Sequence, residues 1–260
     1  AALQKAVRSL ENGRGSLLWE DPDWANEVFD ELIADDDRLW KVIAAIRRGI
    51  PPDKVSKYTG IDPWFTFSLA RIVWMERRLL TEQLTPELML MSKRLGFSDA
   101  QIAILADRLP EQVRNTRTQW GIKPVYKMVD TCAGEFDAVT SYFYSTYEQE
   151  NEATPLKGKN AIVLGSGPIR IGQGIEFDYC SVHAVWGLQS SGLSAVMINS
   201  NPETVSTDFD TSDRLYFEPL DDESVRDIIE NEKSMAVSGE ESIPGTMVQF
   251  GGQTAINLSQ

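Results

Sequence analysis

Short apolar runs that alternate with helical segments, all in the second part of the sequence, restrict the fold more than any other feature. Residues 161–164 and 195–198 are uninterrupted apolar runs, and residues 215–217 and 247–250 are two further predicted strands. Strands buried on both faces have this pattern, and intervening helices imply parallel pairing. We therefore predict a small parallel-sheet α/β domain over residues 160–260.

The first part of the sequence has the apolar spacing of amphipathic helices instead. A weak internal similarity recurs at an offset of 47 residues, where Gly49 and Pro63 match Gly96 and Pro110. Because glycine and proline mark turns, each copy predicts a helix, a turn and a second helix. We predict an all-helical domain over residues 1–150.

A polar segment separates the two parts. Residues 151–159 contain Pro155 and Gly158 and have no apolar periodicity, which predicts a linker. The predicted fold class is therefore α + α/β, with a helical domain followed by a parallel-sheet domain.

The charge distribution argues against nucleic-acid binding. The net charge is −14, and residues 156–260 hold 6 Lys and Arg against 15 Asp and Glu. Binding to a phosphate backbone requires a basic surface that displaces counterions. We expect neither a nucleic-acid partner nor a membrane partner, because the sequence also has no long apolar run.

The two cysteines, Cys132 and Cys180, are far apart and form no C-x-x-C pair. This spacing predicts neither a disulfide framework nor a zinc site. Two packing thiols in a reducing, cytoplasmic compartment are the expectation.

A glycine-rich loop follows the first strand of the α/β part. Gly165, Gly167, Arg170 and Gly172 could place backbone N–H groups around an anion at the start of the next helix. A tight turn with close helix–sheet packing explains the glycines equally well. A dinucleotide site is disfavoured, because Arg170 replaces the third glycine and Asn199 replaces the ribose-binding acid.

The remaining residue types do not predict a catalytic or metal site. Ser166 lacks the glycine two positions earlier that a nucleophile elbow requires. His183, the single histidine, is expected to be a packing residue in a helix. Asp208, Asp210 and Asp213 depart from the EF-hand spacing and are better explained by turn formation.

Two glutamates occupy positions that could face a ligand. Glu176 lies near the start of the helix after the glycine-rich loop, where the helix dipole favours a negative charge. Glu203 lies after the second strand, at the edge where open α/β sheets bind ligands. Each position alone supports only a weak site hypothesis.

Six runs, in a fixed order along the chain, carry a resemblance to a known family. They are VYKMVDTC (125–132), YSTYE (144–148), GPIRIGQGIEFDYC (167–180), NPETVSTD (201–208), DRLYFEP (213–219) and QFGGQT (249–254). The chain resembles an internal fragment of the carbamoyl-phosphate synthetase large subunit. The resemblance implies an oligomerisation domain followed by a Rossmann-like domain that precedes an ATP-grasp fold and is incomplete at its C-terminus.

The resemblance implies a role in making carbamoyl phosphate from bicarbonate, ammonia and two ATP. In this family, an unstable carbamate passes between two active sites through an interior tunnel. By resemblance, Gly174, Glu176 and Glu203 line that tunnel. The ATP-grasp bodies that hold ATP and Mg²⁺ or Mn²⁺ lie outside these residues, so we expect no catalytic residue, metal ligand or bound cofactor here.

The partners implied by the resemblance are a glutamine amidotransferase small subunit and the rest of the large subunit. Self-association through residues 1–150 and a cytoplasmic location are also expected. The sequence leaves open whether the parent enzyme serves arginine synthesis, pyrimidine synthesis or both. Residues 234–245 are longer and more polar than the corresponding family segment.

A helix-turn-helix regulator with a small-ligand α/β domain is the alternative hypothesis. The repeated helical units motivate it, but residues 96–121 hold three arginines against three carboxylates. This balance is unfavourable for a DNA-reading surface. A nucleotide-cofactor oxidoreductase is a third hypothesis, weakened by Arg170 and Asn199.

Overall fold

The computed structural model of the chain describes residues 1–26, 32, 34–136, 140–168, 175–235 and 241–259. The chain forms two compact units. A helical unit comprises Ala1–Val7 and Asn12–Ile122, and a sheet unit comprises Arg8–Glu11 and Lys123–Gln260.

Proline and polar caps start most helices that precede the sheet. Pro63 and Pro110 are each the first residue of a helix, and the Asp62 side chain accepts from the Trp64 N–H at 2.8 Å. The helices are α1 (Ala2–Ser9), α2 (Arg38–Arg47), α3 (Pro52–Thr59), α4 (Pro63–Thr81), α5 (Pro86–Leu95), α6 (Asp99–Leu105) and α7 (Pro110–Gln119).

The internal repeat predicted from the sequence is confirmed, since α3–α4 and α6–α7 are corresponding helix pairs. Gly49 and Gly96 occupy equivalent turns, with φ of 90° and 94°. Gly60 and Asp107, at the same offset of 47, also have positive φ, at 69° and 51°. Glycine favours this left-handed conformation and aspartate tolerates it, which explains both residue choices.

A buried ionic cluster connects the two helices of the second repeat, α6 and α7, to each other and to α5. Asp99 accepts from Arg117 Nε at 2.8 Å and from Lys93 Nζ at 3.0 Å. The three side chains are between 1% and 6% exposed. Buried charges persist only when they are paired, so this cluster fixes α5, α6 and α7 relative to one another.

Within the described residues, the main sheet has six strands in the order β1-β2-β5-β4-β3-β8. Only β1 and β2 are antiparallel, and the other neighbouring pairs are parallel, as predicted for the α/β part. The strands are β1 (Val125–Met128), β2 (Tyr142–Thr146), β3 (Asn160–Leu164), β4 (Ser194–Asn199), β5 (Arg214–Phe217) and β8 (Gly245–Met247).

Helices cover both faces of this sheet. Val185 of α8 (Ile175–Ser190) packs with Val163 and Met197 on one face. Val225 and Ile228 of α9 (Asp222–Asn231) pack on the other face with alternate residues of the same strands. Burial on both faces explains why β3 and β4 are almost entirely apolar.

The structure differs from the expected all-helical domain in residues 125–146, which contribute β1 and β2 to the sheet. Tyr126 and Phe143 alternate with less buried neighbours and pack against Tyr216 of β5. The short alternating pattern was missed because β2 finds its partner β5 about 70 residues further along the chain.

The segment predicted as a linker is bonded into the sheet unit. Asn151 Oδ1 accepts from the Tyr126 N–H at 2.9 Å, and Asn151 Nδ2 donates to Asn231 Oδ1 at 2.8 Å. The Leu156 N–H donates to buried Glu232 at 3.2 Å. These bonds attach the segment to β1 and to the end of α9.

The fourth predicted strand, residues 247–250, is wrong in position. The strand β8 ends at Met247, and Gln249–Gly251 form a 3-10 turn before α10 (Gly252–Asn257). At Gly251 a Cβ would lie 2.5 Å from the Gly165 carbonyl oxygen. The chain must therefore turn across the end of β3 instead of continuing as a strand.

The polar segment at residues 234–245 contains a short antiparallel pair, β6 (Ser234–Met235) and β7 (Glu241–Ser242). Residues 236–240 lie outside the described part. Cys132 and Cys180 are free and partly buried, which agrees with packing thiols. Within the described part of the chain, no helix combines the length and apolar character needed to cross a membrane.

Two buried tyrosines in contact with each other predict different responses to removal of a hydroxyl group. The Tyr216 hydroxyl donates to Glu232 Oε1 at 2.5 Å and accepts from Asn231 Nδ2 at 2.9 Å. The Tyr126 hydroxyl is buried without a hydrogen-bond partner among the described residues. Tyr216→Phe should lower the free energy of unfolding by about 1–3 kcal/mol at pH 7, and Tyr126→Phe should change it by less than about 1 kcal/mol.

The same pair predicts alkaline sensitivity. Burial is the main cause that raises the pKa of both phenols above the ordinary value of 10.0. The second cause is the negative charge of a carboxylate, which is Asp227 for Tyr126 and Glu232 for Tyr216. The unfolded chain therefore loses these protons first, and stability present below pH 10 falls above it. Urea unfolding at pH 7 and pH 11 should show a smaller alkaline loss for Tyr126→Phe; an unchanged loss would contradict this assignment.

Candidate functional site at the carboxyl edge of the sheet

The parallel strands β3, β4 and β5 end at one edge of the sheet, where the glycine-rich loop and the loop after β4 lie next to each other. In the register of the sheet, Leu164 pairs with Ile198, so Gly165 and Asn199 are the first residues beyond it. Open α/β sheets bind ligands at this edge. It is therefore the candidate site.

Asn199 ties the two loops together. Its Oδ1 accepts from the Gly167 N–H at 3.0 Å and from the Ser200 N–H at 2.8 Å. Its Nδ2 donates to Ser206 Oγ at 2.9 Å. The side chain is fully buried, so water does not compete for these bonds.

The first turn of α8 joins the same network. Asp178 is 2% exposed, and its Oδ2 accepts from the Ser206 N–H at 3.3 Å. Ser206 thus lies between Asn199 and Asp178. The loop after β3, the loop after β4 and the start of α8 are held by one set of polar contacts.

Gly165 is required by the closeness of Asn199. A Cβ at Gly165 would lie 2.4 Å from Asn199 Cγ and 2.7 Å from Asn199 Nδ2. Real Cβ atoms are not found this close to another heavy atom, because the two atoms would overlap and the close-packed interior leaves no room for either to move. Gly167 has φ of 68°, a conformation that favours glycine.

These contacts favour close packing over anion binding for the first two glycines of the loop. The Gly165 N–H donates to the Ile198 carbonyl at 2.8 Å, and the Gly167 N–H donates to Asn199. Neither amide is available to a phosphate. Arg170, Gly172 and Gly174 lie outside the described residues.

The electrostatics of the edge favour a ligand that donates hydrogen bonds. Glu176 and Asp178 both lie in the first turn of α8, where their negative charges compensate the positive end of the helix dipole. Glu176 and Glu203 are exposed. A small molecule with N–H or O–H groups suits such acceptors, whereas an anion would be repelled.

Glu203 is held near this network by a local turn. Its backbone N–H donates to Asn201 Oδ1 at 3.0 Å, and Thr204 Oγ1 donates to the Asn201 carbonyl at 3.1 Å. The Asp178–Ser206 bond joins this loop to the turn that carries Glu176. The two predicted glutamates thus lie on adjoining segments of the edge.

His183 differs from the expected packing residue. It lies on the exposed face of α8, and its ring lies between Tyr179, in a tilted contact with a centroid distance of 4.2 Å, and Trp186, in an edge-to-face contact at 5.1 Å. The buried face of α8 is formed by Val182 and Val185. His183 follows Val182 by one residue and precedes Val185 by two, which is about 100° and about 200° around the helix, so its side chain points away from the buried face.

Asp213, the last of the three aspartates in the loop before β5, has a structural role. Asp213 Oδ2 accepts from the Ala195 N–H at 2.8 Å, at the start of β4 and away from the carboxyl edge. Among the described residues, no group of three His, Cys, Asp or Glu side chains is arranged to hold a metal ion.

Sequence reasoning missed Asn199, Ser206 and Asp178 as members of the site. Asn199 was noticed only as a departure from a dinucleotide-binding pattern. A polar residue that directly ends an apolar strand was the available signal, because burial of such a residue requires specific hydrogen-bond partners.

Comparison with known proteins gives two family matches. Residues 1–121 match the carbamoyl-phosphate synthetase large chain oligomerisation domain, and residues 157–260 match the carbamoyl phosphate synthase preATP-grasp domain. The carbamoyl phosphate synthase large chain of Thermomicrobium roseum is 55% identical over 262 aligned residues. Those of Caldanaerobacter subterraneus and Lachnoclostridium phytofermentans are each 48% identical. All of the chain is covered, but it spans only 24% of each of these relatives.

The close approach at Gly165 predicts that two glycine substitutions have opposite effects on the stability of the sheet unit. Gly165→Ala should destabilise the sheet unit by about 1–3 kcal/mol, because Asn199 must move. Gly187→Ala, in α8, meets no atom within 4 Å and should stabilise it by about 0.5–1 kcal/mol. Denaturant unfolding of both variants checks this; equal effects would show that Asn199 can give way freely.

Proposed function

The chain belongs to the carbamoyl phosphate synthase large chain family, and from this premise we propose that it contributes subunit assembly and part of a carbamate passage to that enzyme. The proposed parent reaction forms carbamoyl phosphate from bicarbonate, ammonia and two ATP. The helix-turn-helix regulator is disfavoured, because residues 1–121 match an oligomerisation domain.

The observation that carries the passage proposal is the hydrogen bond between Asp178 and Ser206. It holds the turn with Glu176 beside the loop with Glu203, so that two exposed carboxylates share one edge. Carbamic acid carries N–H and O–H donors, and carboxylates are acceptors only. These side chains can accept hydrogen bonds from neutral carbamic acid without reacting with it.

ATP and divalent metal belong to other parts of the parent enzyme in this proposal. The amides of Gly165 and Gly167 are bonded internally, and the first turn of α8 carries two carboxylates. These described residues do not fit a polyphosphate. Gly174 remains a proposed lining residue on sequence grounds.

We place a glutamine amidotransferase small subunit and the rest of the large chain as partners, in the cytoplasm. The family membership and the two free cysteines support this placement.

The passage proposal predicts uncoupling rather than loss of chemistry. In a complete large chain that carries these 260 residues, we replace Glu176 and Glu203 by alanine together. Carbamoyl phosphate synthesis should fall at least about tenfold, because each lost hydrogen bond to a charged group costs about 1.5 kcal/mol or more. Bicarbonate-dependent ATP hydrolysis and ATP formation from carbamoyl phosphate and ADP, measured separately, should persist.

Glu230→Ala is the matched control, because Glu230 is an exposed carboxylate on α9 away from this edge. It should leave synthesis and both partial reactions unchanged. A full rate of synthesis in the double variant, or an equal loss in all three assays, would refute the role of the two glutamates.

Self-association through the helical unit rests on one face of α4. Trp64, Phe67 and Trp74 are 69%, 53% and 50% exposed and lie on the same side of the helix. Exposed apolar patches of this kind mark protein interfaces. The matched domain is an oligomerisation domain, so we propose a second copy of this chain as the occupant.

Charged substitutions on this face should prevent self-association. Phe67→Glu with Trp74→Glu should reduce the molecular mass found by equilibrium sedimentation to that of the monomer, because a buried unpaired charge is costly. Ile243→Glu, at a 61% exposed site in the sheet unit, should leave the mass unchanged. A wild-type chain that stays monomeric at high concentration, or a double variant that still associates, would refute the proposal.

A further inference from the structure

We propose that Asn199 is the positioning residue of the carbamate passage, setting the separation of Glu176 and Glu203 without touching the carbamate itself. This inference rests on the proposed function and goes beyond it. It assigns a role to a buried side chain whose contacts reach the segments of both glutamates.

Only an amide side chain satisfies all the contacts at position 199. Two backbone N–H groups, of Gly167 and Ser200, require an acceptor, and Ser206 Oγ accepts from a donor. Asparagine supplies both functions in one planar group. Leucine has a similar size but supplies neither, and aspartate retains the acceptor but loses the donor.

The contact to Ser200 positions Glu203. Ser200 is the first residue of the loop, and Asn201 then fixes the Glu203 backbone N–H at 3.0 Å. The loop ends in a 3-10 turn, Val205–Thr207, that contains Ser206. Asn199 thus holds the loop at both ends, before and after Glu203.

The contact to Ser206 positions Glu176. The Ser206 hydroxyl oxygen accepts a hydrogen bond from Asn199 Nδ2, and the Ser206 backbone N–H donates to Asp178 at 3.3 Å. Asp178 lies two residues beyond Glu176 in the first turn of α8. A displacement of Ser206 therefore moves the helix start relative to the loop of Glu203.

The geometry leaves no space for adjustment around the amide. Gly165 approaches so closely that even a methyl group there would overlap Asn199 Cγ at 2.4 Å, and Asn199 is fully buried. Packed interiors respond to such changes by discrete shifts. Loss of the amide contacts should therefore displace the loops and let carbamate escape into water.

The test compares substitutions in the complete carbamoyl phosphate synthase that carries this chain. Asn199→Leu removes every amide contact, Asn199→Asp keeps the acceptor, and Ser206→Ala removes one partner while Asn199 remains. Ser212→Ala is the matched control: Ser212 is buried and its hydroxyl donates to the Arg214 carbonyl at 3.0 Å, at the start of β5 on the opposite edge. The readout is the number of ATP molecules hydrolysed per carbamoyl phosphate formed.

The expected result is a severalfold rise of this ratio in Asn199→Leu and Ser206→Ala, a smaller rise in Asn199→Asp, and none in Ser212→Ala. Both partial reactions should continue. A purely structural role would instead lower both partial reactions together and leave the ratio unchanged. If Asn199→Leu does not fold, Ser206→Ala decides the question.

The glutamate double variant distinguishes a failure of the Asn199 proposal from a failure of the proposed carbamate passage. A raised ratio in that variant, with control values in Asn199→Leu and Ser206→Ala, would overturn the role of Asn199 and leave the proposed function standing. Control values in all of these variants would overturn both. A raised ratio only in the Asn199 and Ser206 variants would overturn the claim that Asn199 acts through the two glutamates.

Discussion

The buried amide of Asn199 is the interaction on which the arrangement of the carboxyl edge depends. It ends an apolar strand, and desolvation there is tolerated only because each of its polar atoms finds a partner, Gly167, Ser200 or Ser206. The glycine at position 165 follows from the same constraint, since any larger residue would occupy the space of the amide. One polar side chain thus explains both a loop conformation and a glycine.

A second buried polar group, Glu232, determines how the segment before β3 is attached to the sheet unit. It accepts from Arg214 Nη1 and from the Tyr216 hydroxyl at 2.5 Å each, and from the Leu156 N–H at 3.2 Å. A fully buried carboxylate requires such partners, because its desolvation is expensive. The polar segment before β3, which has the composition of a spacer, is therefore an ordered part of the unit.

The sequence predicted the features that depend on neighbouring residues. Apolar runs located β3, β4 and β5, and the recurrence of Gly49 at Gly96 predicted the repeated helix pairs. The resemblance identified the family, which the comparisons confirmed over both domains. Prediction failed where partners are distant in sequence: β2 pairs with β5, and residues 249–251 turn because Gly251 meets the end of β3.

The sequence by itself determined the α + α/β class and the alternation of strands and helices that implies parallel pairing. It also indicated Glu176 and Glu203 as candidate positions. Periodicity and turn chemistry are local, so they can be recognised in a single chain. Only the tertiary structure showed that Asn199, Ser206 and Asp178 join three segments, and that the amides of Gly165 and Gly167 are already bonded. A hydrogen bond such as that between Gly167 and Asn199, which are 32 positions apart, leaves no periodic trace in the sequence, because it depends on how the strands are brought together.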